Sequence, residues 1–142
     1  MLGLRIGLAP VLTIALGAAA AVATYADGLD FAAYRSKVEP IFYKKRPGHA
    51  RCVSCHSAAN NSFRLQPLPE GATSYTEEQS HKNFDVVSKL VIPGNPDKSA
   101  LLFHPLSQEG GGDVFHSGGR QFLDKNDPDW KAIAAWINEG KK

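Results

Sequence analysis

Two cysteines and a histidine fall within five residues, Cys52-Val53-Ser54-Cys55-His56, and the chain holds no other cysteine. Thiols three residues apart project from the same side of a helical turn, with the histidine next in line. That spacing suits covalent attachment of a haem. The two thiols reach the two vinyl groups as thioethers, and the imidazole of His56 supplies the proximal ligand to the iron. Three other chemistries use similar residues. A thioredoxin-like dithiol follows a strand and opens a helix, whereas a polar, turn-forming stretch from Lys44 to Arg51 precedes this one. Structural zinc takes four ligands; the cysteines supply half of them, and no closely spaced histidine pair completes the set. A Cys52–Cys55 disulfide would close a very short, strained loop.

The N-terminal stretch supports the haem reading. Met1-Leu2-Gly3-Leu4-Arg5 is followed by an uncharged run from Ile6 to Ala26 that ends in small residues. A basic start, an apolar run and small residues predict a secretory signal peptide over 1–26, cut after Ala26 or Ala23. The competing reading keeps 6–26 as a membrane anchor: the run is long enough to span a bilayer, although alanine-rich and broken by glycine. Either way residues 27–142 are expected outside the cytoplasm, periplasmic or extracellular, where bacteria attach haem covalently. Membrane contact is expected only if 6–26 is retained.

Those 116 residues amount to one domain, and they carry all 14 acidic residues and 15 of the 16 basic ones. With no strong basic field, nucleic acid is not an expected partner. A core this small would gain from packing on the apolar surface of a haem.

The positioning elements read as helices. Asp30 caps a first helix whose Phe31, Tyr34, Val38 and Ile41 share one face, with Pro40 expected to kink or restart it. Residues 57–75 read as an irregular loop that wraps something, with carbonyls near Pro67 and Pro69 placed to accept the second ring N–H of His56. Thr76-Glu77-Glu78-Gln79 is a capping box for a helix reaching about Leu90. Asn95-Pro96 opens a short helix through Phe103, and Asp127-Pro128 opens the last one. That last helix has an apolar face of Trp130, Ile133, Ala134 and Ile137, with Trp136 to one side and Gly140 as terminator. No strand pattern stands out. The expected class is all-α.

From Phe31 to Gly140 the chain resembles small monohaem c-type cytochromes of the acidobacterial and planctomycete type. The resemblance rests on Val38-Glu39-Pro40-Ile41-Phe42, the Cys52–His56 run, Pro93-Gly94-Asn95-Pro96 with Ser99 and Leu101, His116-Ser117-Gly118-Gly119, and Trp136-Ile137-Asn138-Glu139-Gly140. It implies a helical domain around one haem c, with the first and last helices crossing beside the motif. The chain departs from the commonest pattern in its longer Lys44 to Arg51 spacer.

Many such proteins place methionine opposite the proximal histidine, but the single methionine here is Met1. His49, His81, His104 and His116 remain. His49 sits close to the motif in a basic turn, and His81 in the polar first turns of a helix, where an exposed histidine is the default. His104 closes a helix, where it could bond the last carbonyls. His116 lies in a glycine-rich loop that resembles the family's distal-ligand loop. Gly112, Gly118 and Gly119 would allow close approach to a flat macrocycle. His116 is therefore the expected distal ligand, with His104 the alternative. The expected function is electron transfer, with other redox proteins or subunits of a membrane redox complex as partners. A haem enzyme or gas sensor with an open sixth position is the alternative, and a haem subunit of a larger redox assembly fits the same residues.

Overall fold

The computed structural model describes residues 28–140; the predicted export segment, 1–26, lies outside the described residues. Asp30 caps the first helix, its carboxylate accepting the Ala33 N–H. The helix then runs without a break through α1 (Phe31–Ala33), a π-helical turn (Tyr34–Val38) and α2 (Glu39–Tyr43). Pro40 does restart it, and the π-turn is how. Proline lacks an N–H and crowds the carbonyl four residues back. The wide turn, closed by the Glu39 N–H on the Tyr34 carbonyl, puts Pro40 in a fresh first turn where no donor is missed. The expected face forms, with Tyr34, Val38 and Ile41 buried and Phe31 partly so; the extra residue also turns Glu39 and Phe42 inward.

The stretch after α2 is a tight turn in which Arg46 and His49 form an isolated antiparallel bridge. It leads into α3 (Cys52–His56). Residues 57–75 are irregular, as expected, and bury Leu65 and Tyr75. The Thr76–Gln79 capping box forms in both directions and opens α4 (Glu77–Val87), followed by a 3-10 turn (Ser88–Leu90). Where the sequence predicts one short helix after Asn95, two turns form. Asn95 caps a 3-10 turn (Pro96–Lys98), and the chain restarts at Ser99 into α5 (Ala100–Phe103). Asp127 caps α6 (Pro128–Glu139) by accepting the Asp129 and Trp130 N–H groups.

Tyr34, Phe42, Phe84 and Trp136 form the aromatic centre of the core; Tyr34 stands 5.2 Å from Phe84 and 5.6 Å from Trp136, ring centre to ring centre. Trp136 is not to one side as the helical wheel predicts. It is 1% exposed, and its Nε1–H donates to the Asp30 carbonyl at 2.9 Å. A buried indole needs such an acceptor, and this one ties α6 to the start of α1. Among the described residues the only β-type pairings are isolated bridges, so the architecture is helical. Among the described residues, too, no helix is long and apolar enough to cross a membrane.

Candidate functional site

The three residues of the motif open onto a cavity of about 360 Å³, within the range of roughly 300–1,000 Å³ for small-molecule and cofactor sites. Cys52, Cys55 and His56 line it, as do His104, His116, Ser117, Gly118 and Gln121. Ile41, Phe42, Leu90, Leu101, Phe122 and Ile133 supply apolar walls.

α3 is a short helix, and its last residue is held from two directions. The His56 carbonyl accepts the Leu65 N–H at 3.0 Å, and His56 Nδ1 lies 2.8 Å from the Phe63 carbonyl, with the Phe63 ring packed on the imidazole. The carbonyls near Pro67 and Pro69 do not take this role. They accept the Gln79 side-chain amide and the Ala72 N–H instead. The reason is local: Asn61 Oδ1 accepts the Phe63 N–H and turns the chain back onto α3 earlier than the prolines suggest. Burial holds the His56 imidazole below its ordinary pKa, His116 adds to that, and the Phe63 carbonyl opposes it. A neutral imidazole is the form that binds metals.

His116 faces His56 across the cavity. Its Nδ1 lies 2.7 Å from the Gly119 carbonyl, in a turn closed by the Gly119 N–H on the His116 carbonyl. Gly119 takes a φ of +78°, the left-handed region that favours glycine. Gly118 packs beside the ring, where an added Cβ would stand 3.2 Å from His116 Cε1. Gly112 serves elsewhere, contrary to expectation: a Cβ there would meet the Leu106 carbonyl at 2.2 Å, so it admits backbone rather than a macrocycle.

The His56 and His116 ring centres are 6.3 Å apart, with planes 23° from parallel. With both Nδ1 atoms engaged by carbonyls, Nε2 is the nitrogen each ring has left for a metal. This is the arrangement by which proteins fix a ligating histidine. Among the described residues no group of three or more His, Cys, Asp or Glu side chains converges to hold a metal ion.

His104 also lines the cavity, but its partner is not the helix carbonyls. Its Nδ1 lies 2.6 Å from Asp113 Oδ2, and its side chain is 54% exposed. The hydrogen bond with His104 holds the Asp113 carboxyl below its usual range. His49 sits half-buried in the Arg46 turn and is not among the residues that line the cavity. His81, expected to be free of the core, stacks on Phe31 with ring centres 3.9 Å apart.

The two thiols differ. Cys55 is exposed, whereas Cys52 is largely covered, and burial pushes its thiol up to about 11. A dithiol redox centre works through a lowered pKa, which Cys52 lacks. A thioether has no proton to lose, so the same burial costs it nothing in ionisation. Compared with protein-family models, curated proteins and solved structures, the chain has no match.

Proposed function

We propose that this chain is an exported electron-transfer protein carrying one haem c, bound through Cys52 and Cys55 and ligated by His56 and His116. The observation that carries the reading is the pair of carbonyl-anchored imidazoles, 6.3 Å apart, in a cavity that both cysteines line. When bound, the haem supplies a one-electron couple. The chain's residues do the rest. Cys52 and Cys55 would tether it, His56 and His116 would ligate its iron in place of a substrate, and the apolar walls would keep water from it. Two imidazoles in place of an imidazole and a methionine set a lower reduction potential. Cys55 lies at the surface, so its side of the cavity is where a partner redox protein, or a neighbouring subunit of a membrane redox complex, would approach through a weak and transient contact.

One observation favours a second reading. His104 lines the same cavity with Asp113 hydrogen-bonded to its ring, as an acid–base group would in a haem enzyme or gas sensor whose sixth position opens. Two measurements separate these. Intact mass after acid–acetone extraction is expected to retain the haem on the protein. The ferrous protein is expected to bind carbon monoxide slowly or not at all. Haem lost to the solvent would overturn the covalent site, and immediate carbon monoxide binding would favour the enzyme or sensor.

A further inference from the structure

Glu39 is the most deeply buried charged residue described, 2% exposed, and the electron-transfer reading makes no use of it. Three side chains donate to its carboxylate: Ser80 Oγ at 2.7 Å, Tyr34 Oη at 3.4 Å and Asn83 Nδ2 at 3.5 Å. The network does not stop there. Asn83 Oδ1 accepts the Gln66 backbone N–H at 2.7 Å, and the Gln66 carbonyl accepts the Tyr75 hydroxyl at 3.0 Å. One residue back, the Leu65 N–H donates to the His56 carbonyl. Two residues further back, the Phe63 carbonyl engages His56 Nδ1.

A backbone N–H can only donate, so Gln66 fixes which end of the Asn83 amide is oxygen. The amide nitrogen must then face Glu39, and a group that accepts is what it requires there. A side chain that donated at that point would turn the amide over and set Asn83 nitrogen against the Gln66 N–H. Burying an acceptor-only group is costly unless its donors are supplied, and all three are.

We propose that Glu39 is a positioning residue for His56, acting through Asn83 and the 63–66 segment to hold the Phe63 carbonyl on the ring. The proposal rests on the reading of His56 as a haem ligand. The Phe63 hydrogen bond makes His56 the more basic, more electron-donating imidazole. Loosening it is expected to raise the midpoint potential of a bound haem.

The test compares Glu39→Ala, Glu39→Gln, Ser80→Ala and Asn83→Leu in the haem-loaded protein by redox titration, low-spin electron paramagnetic resonance and thermal melting. Glu39→Ala and Asn83→Leu are expected to raise the potential and shift the resonance of the bis-imidazole iron. Asn83→Leu carries the comparison if Glu39→Ala fails to fold, since it leaves Glu39 two of its donors. Glu39→Gln is expected to restore the wild-type potential. Its oxygen can accept from Asn83 and Tyr34 while its amide nitrogen donates to the Ser80 hydroxyl. Ser80→Ala is expected to lower the melting temperature and leave the potential unchanged. A loss of melting temperature in every variant with no change in potential would overturn the proposal and leave Glu39 a packing residue. A wild-type protein that carries no haem would overturn the electron-transfer reading, and this proposal with it.

Discussion

His104 and His116 border one cavity, and what separates them is the partner of the second ring nitrogen and the contact across the gap. His116 is anchored by a backbone carbonyl in its own turn and stands opposite His56; His104 is bound to a carboxylate at its half-exposed side. We expect His116→Ala to turn the visible spectrum of the haem-loaded protein high-spin and to admit cyanide readily, while His104→Ala leaves the spectrum nearly unchanged. The opposite pattern would exchange the two assignments. The Cys52–His56 run is legible as a unit because five adjacent residues define their own geometry, and the place of His116 at the cavity because glycines flank it. The Phe63 carbonyl was not readable. Its place depends on an Asn61 side chain turning the backbone back, and a sequence shows the asparagine without showing which N–H it takes.

At the scale of elements, the basic spacer before Cys52 turns out to be fastened rather than loose. Arg46 pairs with both Asp127 and Asp129, and Lys44 reaches Asp129 at 3.0 Å. The Arg46 guanidinium also lies 5.1 Å from the centre of the Phe122 ring, a wall of the cavity. The two acids stand at the start of α6, where the helix dipole favours negative charge. We expect Arg46→Ala to cost about 3 kcal/mol of unfolding free energy, because both sides of the pair are largely covered and the Asp127 carboxylate would keep its cap N–H donors but lose its counter-charge. Lys44→Ala should cost below about 1 kcal/mol, since the lysine is solvated. Urea titration of the haem-loaded protein measures both, and equal costs would refute the distinction. Capping signals such as Thr76–Gln79 and Asp127-Pro128 were legible since each is settled within four residues. The π-turn was not, nor the burial of Glu39 and Trp136 that depends on it and on α4. Those follow from what packs against a helix, and no periodicity records that.

For the whole molecule, the cavity and the core share their side chains. Ile41, Phe42, Leu101, Phe122 and Ile133 are buried in the core and also face the cavity. In a chain of this size such residues have few other partners, and a bound group would add stability in proportion to how strongly it binds the folded state. We expect the Cys52→Ser/Cys55→Ser double variant, isolated without haem, to lose its near-ultraviolet dichroism and its cooperative melt. A sharp melt would assign the fold to protein contacts alone. The two ends of the described body also meet: Gly140 sits so close to Leu29 that a Cβ on it would come within 2.8 Å of the leucine side chain, and the Trp136 indole is bonded one residue further on, at Asp30. In topological terms the fold is a ring with its gap beside Leu29. A circularly permuted chain, joined there by a short linker and opened at the exposed Pro47-Gly48 turn, would keep the same helices in the same neighbourhoods while placing the cysteines just behind its new first residue.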